Sequence, residues 1–228
     1  MQNSVTARCI EKVYKNAGNP ALIELLGSRK NARVLDCGCG AGDNARILNA
    51  QGWQVTGITI SPSELQAASA YCDKVYLADL EHGIPKAIDD KFDYVILSHI
   101  LEHLVHPEKL LGDIKSVLAP NGLIAIALPN VLFYHNRLRF ILGNFDYTDG
   151  GIMDETHVRF YTFASGAKLL EASGYRLEKV FSDGAFPMWK IRNILPDSIV
   201  KALNRFAVSH WPGLFGLQSL YLARAAES

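Results

Sequence analysis

The sequence predicts a doubly wound α/β fold on a seven-stranded, mostly parallel sheet. Three observations predict it. Short apolar runs alternate with helical stretches from Ala32 to Leu128. Polar and glycine-rich residues follow those runs. After the fifth run the alternation gives way to a long aromatic and polar segment. Strands alternating with helices imply right-handed crossovers and a parallel sheet covered on both faces. Such sheets bind ligands outside the carboxyl ends of their strands, so the informative residues should follow strand ends.

Taken in order, Pro20 opens a helix over Ala21–Leu26 and Gly27 closes it, the proline-first, glycine-last pattern of helices. Ala32–Cys37 reads as a buried strand and Ala45–Ala50 as the helix after it. Gln54–Ile60, rich in β-branched residues, is the second strand. Ser61 and Glu64 have the spacing of a capping box at the next helix start. Lys74–Leu77, Phe92–Leu97 and Gly122–Leu128 are the third to fifth strands, with a helix over His106–Leu118 stopped by Ala119-Pro120-Asn121-Gly122. Ser165–Ser173 resumes as a helix, and Tyr175–Phe181 and Gln218–Ala223 read as the last pair of strands. The chain is expected to be a single domain, 1–228, with an N-terminal helical cap (1–30), a lid insertion (131–162) and a further insertion (184–217) before the last strand. In the last of these, Ile199, Val200, Leu203, Phe206 and Ala207 form an apolar helical stripe.

The composition excludes several classes. With 228 residues, 49% of them hydrophobic, the chain is long enough for a substantial core. A formal net charge of zero argues against a general nucleic-acid binder. Met1 to Lys15 is polar and charged, unlike a signal peptide, and no apolar run is long enough to span a bilayer. Cys9, Cys37, Cys39 and Cys72 lack paired zinc-type spacing and read as buried or free thiols in a reducing, cytoplasmic setting.

The strongest signal is the Asp36-Cys37-Gly38-Cys39-Gly40-Ala41-Gly42 stretch, where a strand ends in Asp-x-Gly-x-Gly-x-Gly and a helix follows. Glycines let the backbone turn sharply and approach a ligand closely. A dinucleotide fingerprint needs Gly-x-Gly-x-x-Gly. Counted from Gly38 the sixth position is Asp43, and counted from Gly40 it is Ala45. A nicotinamide cofactor therefore fits poorly, and no Walker-type lysine follows.

This stretch resembles motif I of the class I S-adenosylmethionine-dependent methyltransferases. The resemblance implies a Rossmann-like sheet with an antiparallel last strand. It also implies that Asp36, Gly38, Cys39, Gly40 and Gly42 serve the cofactor S-adenosylmethionine. Gly57-Ile58-Thr59-Ile60-Ser61 is similar to the Gly-x-Thr-x-Ser version of the second strand end, where a polar residue five positions on takes over the ribose contact. Thr59 and Glu64 hold those places. By the same resemblance Asp79 accepts from the adenine amine, Leu80 meets the ring and Ser98 lies at the cofactor. Trp53 reads as packing.

The run from Phe92 through Ser98-His99-Ile100-Leu101-Glu102-His103, then Leu118-Ala119-Pro120-Asn121-Gly122, looks like the quinone-biosynthesis O-methyltransferases and their small-molecule relatives. Methyl transfer is an in-line displacement in which the protein aligns the partners and excludes water. A hydroxyl acceptor also needs a base. Histidine titrates near neutrality, which makes His99, His103 and His157 the candidate catalytic residues. Some relatives carry Glu-x-x-Glu-His with a proposed divalent-metal role. Here His99 stands at the first glutamate, and although His99, Glu102 and His103 would share a helical face, no metal is assigned. Arg137, Arg139 and Arg159 would either bind an anionic acceptor or pair with Asp146, Asp149, Asp154 and Glu155. The sequence thus points to methyl transfer onto a small-molecule or sugar-derived acceptor, at oxygen in the first place, with nitrogen or carbon methylation, or a catalytically silent cofactor-binding module of the same fold, as the alternatives. The Ile199–Ala207 helix leaves room for core packing, a homodimer or peripheral membrane contact.

Overall fold

A computed structural model describes residues 17–29, 31–188 and 194–226. Cys9, most of the expected N-terminal cap and residues 189–193 lie outside them. The seven strands form one sheet of order β3-β2-β1-β4-β5-β7-β6. They are β1 (Arg33–Cys37), β2 (Gln54–Thr59), β3 (Lys74–Leu77), β4 (Phe92–Ser98), β5 (Leu118–Pro129), β6 (Tyr175–Gly184) and β7 (Gly216–Ala225). β1 to β5 pair in parallel. β7 runs antiparallel to both β5 and β6, so it is the reversed strand. The order reverses between β1 and β4, which opens the crevice where such sheets bind ligands.

The alternation of side chains along a strand builds two cores. In β4, Val95 and Leu97 join Leu110, Leu111, Ile114 and Leu170 on one face. Tyr94 and Ile96 join Leu22, Leu25, Leu48 and Trp53 on the other. Helices α1 (Pro20–Leu26) and α2 (Asp43–Ala50) cover the second face. Helices α4 (Pro107–Ile114) and α6 (Phe163–Ala172) cover the first, while α3 (Pro62–Ala68) links β2 to β3. Trp53 stacks on Tyr94 at 5.4 Å, as a packing residue should.

Three local readings are corrected. Ser61 makes no side-chain cap to α3. Its hydroxyl lies 2.8 Å from that of Ser63, and Glu64 turns inward to accept from the Thr59 hydroxyl at 2.7 Å. The helix expected over His106–Leu118 ends at Ile114, because Leu118 already pairs with Phe92 in the sheet. Ala119–Gly122 is a bulge inside β5, with Asn121 at φ 64°, not the helix stop. The cap of α6 is a true capping box that the sequence reading missed: Ser165 N–H donates to Thr162 Oγ1 at 3.0 Å, and Thr162 N–H to Ser165 Oγ at 2.8 Å.

Both insertions contain helices. The first holds α5 (Tyr134–Ile141), and the second holds α7 (Asp197–His210) and α8 (Pro212–Phe215). The apolar stripe of α7 divides. Val200 and Ala207 are buried with Val208, whereas Ile199, Leu203 and Phe206 are 44%, 38% and 54% exposed. No helix among the described residues is long and apolar enough to cross a membrane.

Candidate active site

A cavity of about 1100 Å³ opens at the carboxyl ends of β1, β2, β4 and β5 and beneath residues 149–158 of the first insertion. Single-ligand pockets run to roughly 1,000 Å³, so there is room for a cofactor and a small second reactant. Of the residues expected at the cofactor, Gly38, Cys39, Gly40, Thr59, Glu64, Asp79, Leu80 and Ser98 line it. His99, His103 and His157 line it too.

Asp36 and Gly42 do not reach the wall; they underlie the loop. Gly38 has φ 78°, and an added Cβ would lie 1.9 Å from Ile100 Cδ1. Glycine is thus required there twice, by conformation and by space. The amides of Gly38 and Cys39 both donate to Ile58 O, at 2.9 and 2.8 Å, folding the loop back onto β2. Asp36 is completely buried, and neither carboxylate oxygen has an aligned donor. Burial pushes its pKa up to about 7, against a smaller pull downward from Asn44. A buried carboxylate with no aligned donor beneath a glycine cradle suits a cofactor that carries a sulfonium and an ammonium charge.

Thr59 Oγ1 accepts from Ser61 N–H at 3.2 Å and donates to Glu64 Oε2 at 2.7 Å, so its hydroxyl orients Glu64. Asp79 Oδ1 accepts from Glu81 N–H at 2.9 Å and caps the short turn Leu80–His82.

The three candidate histidines differ in what fixes them. His99 stands in the left-handed region at φ 58°, outside the short Leu101–His103 turn, so His99, Glu102 and His103 do not share a helical face. Its Nδ1 lies 3.4 Å from Glu102 Oε1, and its Nε2 lies 3.0 Å from Gln218 Oε1. Gln218 Nε2 donates to Asp183 at 3.1 Å, which turns its oxygen toward His99. Both ring nitrogens of His99 therefore face acceptors. Burial disfavours its charged form, but Glu102 and Gln218 outweigh that and raise its pKa.

His157 is the opposite case. Its Nδ1 donates to Ile152 O at 3.0 Å, which leaves the lone pair on Nε2, 4.0 Å from Glu102 Oε1. Burial dominates and holds its pKa below the ordinary value, against an upward pull from Glu102. His103 Nδ1 faces Thr156 O at 3.3 Å and packs edge-on against His157. Glu102 is fully buried, and neither of its oxygens has an aligned hydrogen-bond donor. Burial raises its pKa, but the three surrounding imidazoles outweigh this, so the net shift is downward. Its backbone carbonyl accepts from Val158 and Arg159 N–H at 2.9 and 3.0 Å, tying the insertion to the sheet edge.

Ligand atoms of Glu102, His103 and His157 lie within 4.8 Å of one another, a different trio from the one the sequence spacing brings together. The lid arginines are held by protein groups. Arg137 donates to Leu132 O and Gly213 O, Arg159 to Val105 O, and Arg139 pairs with Asp146 at 3.8 Å.

Two further wall residues escaped the sequence reading. Asn19 caps α1 and donates to Gln218 Oε1 at 2.8 Å, and its amide binds Asn44 Oδ1 at 2.8 Å. Asn19 before Pro20 has a readable cap signature; its link to Gln218, on the last strand, has none.

Residues 11–180 match the model of a family described as "Methyltransferase domain". A ubiquinone biosynthesis O-methyltransferase of Bradyrhizobium diazoefficiens is 38% identical over 101 residues, covering 43% of this chain and 40% of that protein. One from Rickettsia felis is 26% identical over 204 residues, covering 83% and 82%. The chain thus spans less than half the length of the first of these relatives and most of the second. A SAM-dependent methyltransferase from Archaeoglobus fulgidus has the same fold, with a TM-score of 0.63, 22% identity, and coverage of 98% and 94%.

Proposed function

The chain belongs to the methyltransferase-domain family and is an S-adenosylmethionine-dependent methyltransferase; from that premise we propose that it methylates a hydroxyl of an uncharged small molecule, with His157 as the base. The cofactor supplies an electrophilic methyl group on its sulfonium. The loop Gly38–Gly42, with Asp36 beneath it, would hold the methionine part. Glu64, oriented by Thr59, would accept from the ribose, and Asp79 and Leu80 would meet the adenine. Oxygen as the acceptor atom is supported by relatives named as O-methyltransferases.

The observation that carries the reading is the tautomer of His157. With Nδ1–H fixed on the Ile152 carbonyl, Nε2 presents its lone pair at the cavity wall. A proton taken from an acceptor hydroxyl would land on Nε2. The imidazolium so formed would sit beside the Glu102 carboxylate, 4.0 Å away, which stabilises it. His99, whose nitrogens both face acceptors, positions Glu102 and takes no proton. Among the described residues lining the cavity there is no lysine or arginine, while Glu24, Asp43, Glu64, Asp79, Glu102 and Asp183 all line it. A phosphate or carboxylate on the acceptor would be repelled there, which favours a neutral acceptor.

The test is His157→Ala, with turnover on a panel of neutral hydroxyl acceptors and S-adenosylhomocysteine affinity measured in parallel. Loss of a general base should lower kcat by about 10²–10⁴-fold and leave cofactor affinity within a few-fold. In the parent enzyme kcat should rise with pH through a limb below the ordinary histidine range, since the base must be neutral and its pKa is lowered. Unchanged kcat in the variant removes His157 from the reaction.

A further inference from the structure

Two thiols meet behind the cofactor loop. Cys39 lies in the loop itself and is buried, whereas Cys72 sits half-buried in the turn between α3 and β3. Gly57, in the strand between them, explains how they meet. A Cβ built on Gly57 would lie 2.7 Å from Cys39 Sγ and 3.2 Å from Cys72 Sγ. Gly57 is not in the left-handed region, so conformation does not demand glycine there. The missing side chain is what lets the two sulfurs share one space. Both sulfurs thus converge on one point beside β2, with the Cys39 thiol directed at Gly40 O at 3.7 Å, and the neighbouring Cys72 thiol, then burial, drives the Cys39 pKa up.

We propose that Cys39 and Cys72 form a disulfide on exposure to peroxide, a modification site that distorts the glycine loop and weakens cofactor binding. The proposal rests on the reading that Gly38–Gly42 holds the cofactor. Cys72, the more accessible thiol, attacks the peroxide as thiolate; its sulfur becomes a sulfenic acid and one water leaves. Cys39 sulfur then attacks the sulfenic sulfur, and its proton departs with the displaced hydroxide as a second water. Two thiols lose two electrons in all, and one peroxide becomes two waters.

The bond draws the sulfurs to about 2.05 Å. Cys39 is anchored by its N–H to Ile58 O at 2.8 Å and by its carbonyl to Gly42 N–H at 2.9 Å. Its neighbours Gly38 and Gly40 hold φ of 78° and 53°. A pull on the Cys39 side chain is therefore transmitted to the backbone that lines the cavity.

The experiment treats the full chain with hydrogen peroxide and reads intact mass, a non-reduced peptide map and S-adenosylhomocysteine affinity, before and after dithiothreitol. The expected result is a loss of two hydrogens, a Cys39–Cys72 cross-linked peptide, and affinity at least tenfold weaker that dithiothreitol restores. Cys72→Ser should keep the activity and affinity of the reduced parent and lose both the cross-link and the peroxide sensitivity of binding. A cross-link from Cys39 to another cysteine, no cross-link, or a cross-linked protein of unchanged affinity each overturns the proposal. The cross-link is read by mass alone. Reduced protein that fails to bind S-adenosylhomocysteine would thus overturn the cofactor-loop reading and the proposed coupling with it, whereas reduced protein that binds but does not cross-link overturns only the pair.

Discussion

Asp36 makes the fold less stable as the pH rises, and Asp36→Asn should abolish that dependence. The carboxyl is completely buried, and its pKa rises from 3.8 to about 7, chiefly through burial. One pKa unit corresponds to about 1.36 kcal/mol, so ionising this group costs the native state on the order of 4 kcal/mol. Below about pH 3.8 both the native and the unfolded chain hold the proton, and there is no penalty. From there to about pH 7 the native state keeps a proton that the unfolded state has released, so each rise in pH favours unfolding. Above that window both states are ionised and the penalty is constant.

Asparagine removes the titration but leaves its own amide without partners, at a pH-independent cost of about 1–3 kcal/mol. The informative quantity is therefore the change in the variant-minus-parent difference between pH 4.5 and pH 8. It should move in the variant's favour by about 3 kcal/mol, since part of the penalty is already present at pH 4.5. Urea unfolding followed by tryptophan fluorescence supplies it, with Trp53 packed in the core against Tyr94 as a reporter. Saturating S-adenosylmethionine, through its positive charges, should shift the parent's decline to lower pH. A difference that is the same at both pH values refutes the assignment of a raised pKa to Asp36.

Glu64→Gln keeps an acceptor for the Thr59 hydroxyl, so stability should change little, while losing the carboxylate should weaken cofactor binding about 5–30-fold by calorimetry, the gap between charged and neutral hydrogen bonds. Unchanged affinity would remove Glu64 from the ribose site. Gly38→Ala should destabilise more than Gly52→Ala, since both have positive φ but only the former meets a neighbour, Ile100, inside van der Waals contact. The excess should be about 1–3 kcal/mol in urea, and equal losses would mean that the loop yields freely.

What the sequence disclosed was what local chemistry determines. Val34–Leu35 and Val95–Leu97 are buried on both sides of a parallel sheet, so they appear as apolar runs, the first ending at the buried Asp36. Gly38, Gly40 and Gly42 were legible because a left-handed backbone selects glycine without regard to tertiary context. Glu64 was not settled, since the same spacing from Ser61 serves a cap, and only the packing of Thr59 beside it turns the carboxylate inward. The histidines were found but not ranked. Nothing local separates His99 from His157; the first is set by Gln218 on the last strand and the second by a carbonyl within the lid. The meeting of Cys39 with Cys72 was illegible for the same reason, because it depends on which strands flank β2.

The ranking matters because, on the proposed mechanism, Glu102 links residues 149–159 to the base. Its carbonyl receives two amides from the end of the insertion, and its carboxylate faces His157 on one side and His99 on the other. The tautomer of His157 is fixed inside the insertion by Ile152, whereas the charge that would stabilise its protonated form stands on the sheet edge. The lone pair is thus prepared by one part of the chain and its counter-charge by another. Both are in place only when the insertion lies over the cavity, which is also the condition for excluding water from the transferring methyl group. On this reading a substitution that loosens the Val158 and Arg159 amides from Glu102 would reduce turnover through the proton acceptor as well as through solvent, without touching a residue of the cofactor loop.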